Sequence, residues 1–128
     1  MRSLPSLITV AVGLLIVSAP ILAHHGNAAY DEKRPLTLKG TVTEFMWASP
    51  HSKISFDVKD SKDTVVHWSI ETLSPSKLAR AGWSKDAVKP GDQATITLSP
   101  AKDGALLGFL QKVVFPDGKQ LGMLEHPQ

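Results

Sequence analysis

Residues 74–82 read Ser-Pro-Ser-Lys-Leu-Ala-Arg-Ala-Gly, and they carry the start and stop signals of a short helix. Ser74 is a typical capping residue, Pro75 fits the first helical position, and Gly82 is typical of the residue that follows a helix. The segment therefore predicts a helix of about two turns within a chain whose remaining patterned sequence is strand-like.

Strand-like sequence lies on both sides of this helix. Three stretches that alternate apolar and polar residues precede it, at residues 37–47, 51–59 and 64–71. Two more follow it, at residues 93–99 and 109–115, and a short sixth segment spans residues 119–124. Alternation with a period of two, rich in Val, Thr and aromatic residues, is typical of half-buried strands. Gly40 lies inside the first stretch and indicates a β-bulge or a tight bend there.

The order of these elements favours one architecture. Three strands, a helix and two further strands is the order of the OB-fold, a five-stranded Greek-key barrel. We therefore predict a mainly β domain over residues 37–124, a small OB-like barrel with one short helix between strands 3 and 4. A five-stranded meander sandwich with a surface helix is the alternative.

The three tryptophans are expected to pack mainly in the core and rim of this barrel, because large aromatic side chains dominate the packing of small domains. Trp68 alternates in phase with Val66 and Ile70, so it is the surest core residue. Trp47 shares no apolar face with its strand and is expected to be the most exposed of the three.

The first 23 residues have the features of a secretory signal peptide. Arg2 supplies a positive charge, an apolar run extends from Leu4 to Val17, and small Ala23 precedes the expected cleavage point. A membrane anchor is the alternative, but Pro and Gly residues interrupt the apolar run and no basic cluster follows it. We expect cleavage after Ala23, an arm at residues 24–36, a tail at residues 125–128 and no stable membrane span in the mature chain.

The composition of the chain limits the possible cellular compartments and the possible functions. The chain of 128 residues has 14 Lys and Arg against 12 Asp and Glu, so it lacks the strong basic charge of a nucleic-acid-binding protein. It contains no Cys, which excludes thiolate metal sites and disulfides and fits export to a Gram-negative periplasm. Neither a Gly-x-Ser-x-Gly elbow, nor a phosphate loop, nor a dinucleotide fingerprint is present, so we expect no enzymatic activity.

Several short motifs lie along the mature chain. They are Ala23-His24-His25-Gly26, Leu38-Lys39-Gly40-Thr41-Val42, Trp47 with Pro50-His51, Trp68, Gly82-Trp83-Ser84 and Lys89-Pro90-Gly91-Asp92. As a set they resemble a family of small exported bacterial proteins of unknown function. Members often have Asn before the Pro-His pair, where this chain has Ser49. The resemblance covers nearly the whole mature chain and implies export and a small β-rich fold.

Histidines are the candidate ligands of a metal. After cleavage, His24 would be the first residue, and its α-amino nitrogen and ring Nδ1 could chelate one ion, as in the histidine brace of exported copper proteins. His25 follows it, and His51, just after the turn between strands 1 and 2, is the best third ligand. Nitrogen ligands in a planar arrangement suit Cu(II). Alternatively, the His24-His25 pair is an exposed polar start of the arm and His51 caps a turn. His67 is expected to face away from Trp68, on the surface.

The sequence thus predicts a non-enzymatic periplasmic binding module, with copper at His24, His25 and His51 as its candidate cofactor. The competing function is an envelope module that binds another protein or a small molecule without a metal. An oxidase built on the brace is the only enzyme that the residues suggest.

Overall fold

The computed structural model describes residues 29–123. The predicted signal peptide, His24, His25 and the tail at residues 125–128 lie outside the described residues. Within them the element order is that expected from the sequence. The elements are β1 (Leu36–Met46), β2 (Lys53–Lys59), β3 (Val65–Glu71), α1 (Pro75–Arg80), β4 (Gln93–Pro100), β5 (Leu107–Val114) and β6 (Gln120–Gly122).

The first five strands close into a barrel. β1 pairs antiparallel with both β2 and β4, β2 pairs with β3, and β4 pairs with β5. A short parallel pairing of β3 with β5, at Ser69–Leu107 through Glu71–Phe109, completes the ring. β6 extends it by pairing with the end of β5. The predicted OB-like barrel is therefore confirmed, and the meander sandwich is wrong because its β3 and β5 would not meet.

β1 is a bent strand that pairs with two neighbouring strands. Its first half pairs with β4, from Leu36 to Thr41, and its second half pairs with β2, from Thr41 to Met46. The β1–β2 register shifts between Val42 and Glu44, so Thr43 is the extra residue of a bulge. Of the two alternatives predicted at Gly40, a bulge or a tight bend, the bulge is wrong, because it lies three positions farther along the strand.

Gly40 is needed for a different reason. A Cβ atom built at this position would collide with the backbone carbonyl oxygen of Asp57 and lie 3.1 Å from the ring of Phe56. β1 and β2 thus approach so closely that only glycine fits at this point of β1.

The core fills the inside of the barrel, and α1 contributes a side chain to it. Alternate residues of each strand point inwards, as the sequence pattern predicted. Leu78 of α1 is completely buried and packs into the same core. The other fully buried large side chains include Val42, Ile54, Phe56, Ile70, Val88, Ile96, Leu98, Leu110 and Val113.

The end of α1 places a tryptophan in this core. Gly82 has φ +90°, its N–H donates to the Ala79 carbonyl (3.1 Å), and the Trp83 N–H donates to the Leu78 carbonyl (2.9 Å). This pair of hydrogen bonds is a Schellman motif, and it turns the chain inwards. Trp83 is only 4% exposed, and its indole Nε1–H donates to the Gly122 carbonyl (2.8 Å), which joins β6 to the barrel.

Trp83, and not Trp68, is therefore the most deeply buried tryptophan, so the prediction that Trp68 is the surest core residue was wrong. Trp68 faces inwards but is only half-buried, because the β3–β5 pairing begins at Ser69 and leaves the preceding residue near the open part of the seam. Trp47 is half-buried too, and its ring packs edge-on against Phe45 with centroids 5.9 Å apart. Among residues 29–123, no helix is long and apolar enough to cross a membrane.

Replacing Gly40 tests the close approach of β1 and β2. Gly40→Ala is expected to lower the free energy of unfolding by about 3 kcal/mol, because the new methyl group collides with backbone rather than with a movable side chain. Gly122→Ala is the matched control, since a Cβ atom there meets nothing within 4 Å. Urea denaturation curves measure both, and equal stabilities of the two variants would contradict the packing described for Gly40.

Replacing the tryptophans tests the revised ranking. Trp83→Ala is expected to cost about 3–5 kcal/mol of unfolding free energy, since it removes a buried ring and the partner of the Gly122 carbonyl. Trp68→Ala removes a half-buried ring and should cost at least about 1 kcal/mol less. Denaturant melts that rank Trp68 above Trp83 would contradict this assignment.

Candidate functional site

The candidate site lies where the β1–β2 loop meets the end of β3. OB-folds bind ligands on the β2–β3 face and on the β1–β2 and β4–β5 loops. Here the β1–β2 loop is anchored by buried Ser52, whose N–H donates to the Leu73 carbonyl (3.0 Å) and whose carbonyl accepts from the Thr72 N–H (2.9 Å). His51 directly precedes this anchor and is exposed, so the loop presents its ring at the surface.

A carboxylate and a phenol lie beside His51. The Nδ1 atom of His51 is 4.0 Å from Oε2 of Glu71, the last residue of β3. The hydroxyl of Tyr30 donates a hydrogen bond to the same oxygen at 3.0 Å. We refer to these three residues as the Tyr30–Glu71–His51 cluster.

The cluster ties the N-terminal arm to the barrel. Tyr30 forms an isolated antiparallel bridge with Ala101, at the start of the β4–β5 loop. The Asp31 N–H donates to the Pro100 carbonyl (2.8 Å), and the Tyr30 ring lies 5.9 Å from that of Phe109. The arm is thus held by backbone pairing, by aromatic packing and by the bond to Glu71.

Sequence reasoning missed two members of this cluster. Glu71 is the last residue of β3, and the β2–β3 register places it opposite Lys53. Tyr30 and Glu71 are 41 residues apart. No local pattern links positions so distant, although the alternation of β3 does place Glu71 on its outer face.

The pKa of Tyr30 is raised to about 12, first by burial of the phenol and then by its hydrogen bond to the Glu71 carboxylate and the charge of that group. Removing the phenol proton would place a second negative charge against Glu71. Tyr30 therefore remains a protonated donor at neutral pH.

A second histidine–carboxylate pair lies farther along the same face. Nδ1 of His67 is 2.5 Å from Oδ1 of Asp57, and the His67 side chain is 79% exposed. His67 points outwards, as predicted. It is four residues from Glu71 along β3, which corresponds to about 13 Å, so the two pairs are separate.

The described residues contain no group of three or more metal-ligating side chains. His51 is placed at the surface beside Glu71, whereas His24 and His25 lie outside the described residues. The copper site therefore stays a prediction.

The surface grooves of the barrel lie elsewhere. Two open grooves of about 480 and 470 Å³ meet at Lys39 and Gln93, around the bend of β1. Neither is lined by His51 or Glu71. The cluster is instead an open surface site, suited to an ion or a small group rather than to an enclosed ligand.

Fold and site together define a small OB-like barrel with a tethered N-terminal arm and an exposed histidine beside a carboxylate. The chain matches the family of unknown function DUF6152 over residues 11–111 and belongs to that family. No curated protein and no solved structure matches it significantly.

Titration of the phenol tests the cluster directly, because Tyr30 is the only tyrosine of the chain. Its phenolate absorbance is expected to appear with a midpoint near pH 12 in the folded protein. Glu71→Gln removes the neighbouring charge and should lower this midpoint, while Asp57→Asn should leave it unchanged. A wild-type midpoint near the ordinary value of 10.0 would show that Tyr30 is not held against Glu71.

Proposed function

We propose that this protein is an exported, non-enzymatic binding module that binds Cu(II) at its mature N-terminus. The ligands are the α-amino group and ring of His24 together with the ring of His51, and His25 contributes a further imidazole next to them. The Tyr30–Glu71–His51 cluster carries this proposal, because Tyr30, in the arm that follows His24, is hydrogen-bonded to Glu71, and Glu71 lies 4.0 Å from the ring of His51.

The distances are compatible with such a site. The phenol oxygen of Tyr30 lies no more than 7.0 Å from Nδ1 of His51, the sum of their distances to the shared Glu71 oxygen. His24 precedes Tyr30 by six residues, which span at most about 20 Å when extended. An arm tethered at Tyr30 is therefore long enough to return its first residue to His51.

The donor set favours copper over other divalent ions. An N-terminal histidine forms a chelate through its amine and ring nitrogen, and one further imidazole gives three nitrogen donors in a plane. Among first-row divalent metals, such sites bind Cu(II) most tightly. Neutral imidazole and amine ligands require the loss of few protons near neutral pH, so binding is feasible in the periplasm.

Export is part of the same proposal. The leader at residues 1–23 has the charge, apolar run and small terminal residue of a cleaved signal peptide. Cleavage after Ala23 would generate the free amine of His24, so the same cut that releases the protein would also create the chelate.

One observation favours the competing function, a metal-free interaction module. Leu106 and Leu107 are consecutive residues where the β4–β5 loop enters β5, and they are 43% and 44% exposed. Adjacent exposed leucines beside a loop that binds ligands in OB-folds suit an apolar partner. This surface does not use His24, so copper titrations separate the two functions.

Copper titration of two N-terminal forms provides the test. Mass spectrometry first establishes whether the exported protein begins at His24. The form beginning at His24 is expected to bind one Cu(II) per chain, and an added alanine before His24 should weaken binding at least about tenfold, because it displaces the amine and leaves every imidazole in place.

Two histidine variants complete this test. His51→Gln is expected to weaken binding, whereas His67→Gln, which alters an exposed histidine of the separate pair, should not. Equal copper affinity with and without the added alanine, measured by competition with a chelator, would refute the copper site and leave the interaction module as the better account.

A further inference from the structure

Among the ion pairs of residues 29–123, the ring of His51 takes part in one, through its Nδ1 atom. Nδ1 lies 4.0 Å from the Glu71 carboxylate. Nε2 is separated from Nδ1 by one ring carbon and points away from the group that Nδ1 faces, and the His51 side chain is 39% exposed. A neutral imidazole carries one proton, and the surroundings of the ring decide which nitrogen holds it.

We propose that Glu71 is a positioning residue for His51: it holds the ring proton on Nδ1 and leaves the lone pair of Nε2 directed outwards as the metal-binding nitrogen. This inference deepens the proposed function and rests on it for the metal. In water, neutral imidazole side chains prefer the proton on Nε2, so the proposed tautomer is the opposite of the default one.

Electrostatics favours this arrangement. With the proton on Nδ1, the positive end of the N–H dipole faces the carboxylate of Glu71. With the proton on Nε2, the lone pair of Nδ1 would face that negative charge instead. In metal sites a ligating histidine commonly directs its other ring N–H at a carboxylate, which fixes its tautomer and orientation. The 4.0 Å separation lies beyond a direct hydrogen bond, so the carboxylate acts on the His51 ring through its charge.

Glu71 is itself held in place. Its Oε2 accepts the hydrogen bond of Tyr30, and that phenol packs against Phe109 on β5. Lys53 lies opposite Glu71 in the β2–β3 register. Within residues 29–123, however, Lys53 and Glu71 do not form an ion pair, because their charged atoms are more than 4.0 Å apart. The carboxylate thus keeps its charge directed at Tyr30 and His51.

The pair formed by His67 and Asp57 offers an internal control. As in the His51–Glu71 pair, the Nδ1 atom of the histidine faces a carboxylate oxygen. The distance between these two atoms is shorter, 2.5 Å, and the pair has no contact with Tyr30 of the arm. Asp57→Asn should therefore alter the His67 tautomer and leave His51 unchanged. Glu71→Gln should alter His51 and leave His67 unchanged.

Nitrogen-15 NMR of the metal-free exported protein at alkaline pH, where imidazole side chains are neutral, gives the first readout. His51→Gln and His67→Gln variants assign the two rings. Wild-type His51 is expected to show a protonated Nδ1, and Glu71→Gln should move the proton mainly to Nε2. An unchanged His51 spectrum in Glu71→Gln would overturn the inference, whatever the protein does with copper.

Copper affinity gives the second readout. Glu71→Gln is expected to weaken Cu(II) binding about 10- to 100-fold, the usual effect of removing a carboxylate behind a ligating histidine, and Asp57→Asn should have no effect. An unchanged affinity in Glu71→Gln would overturn the positioning role. If the tautomer responds and wild-type protein binds no copper, the proposed function fails while the assignment of Glu71 as the group that orients His51 stands.

Discussion

The fold depends on the bend of β1. One continuous strand must hydrogen-bond to β4 with its first half and to β2 with its second half, or the barrel does not close. The bulge at Thr43 rotates the strand between its two partners, and Gly40 lets the backbones of β1 and β2 meet without a side chain between them. The turn before β4 supports the bend, since the Gly91 N–H donates to the Val42 carbonyl (2.8 Å) and the Val42 N–H donates to the Asp92 carbonyl (2.9 Å).

Closure of the barrel also creates the candidate site. Because β1 leads into the β1–β2 loop at the end where β3 finishes, His51 and Glu71 become neighbours. Because β5 pairs in parallel with the last residues of β3, the β4–β5 loop reaches the same region and brings the arm with it. Three separate segments thus supply the Tyr30–Glu71–His51 cluster, and each is placed by the pairing of the barrel strands.

The two histidine–carboxylate pairs have the same side-chain types but different surroundings. His67 and Asp57 face each other across β2 and β3 and are joined directly, so the carboxylate of Asp57 is occupied by one histidine. Glu71 instead stands between a phenol from the arm and the ring of His51. Only this second pair is linked to the residues that follow the expected mature N-terminus, which is why we place the functional proposal there.

The sequence by itself determined the order of the elements and, through it, the OB-like barrel. The alternation of apolar residues and the helix signals at Pro75 and Gly82 act over a few residues, so they can be recognised without knowing the fold. Tertiary structure alone decided that the bulge falls at Thr43, that Trp83 is buried more deeply than Trp68, and that Tyr30 meets Glu71. Each of these depends on the register of strands distant in the chain and on where the β3–β5 seam begins. Local sequence patterns do not predict such pairings, because these contacts form only when strands distant in the chain come together in the closed barrel.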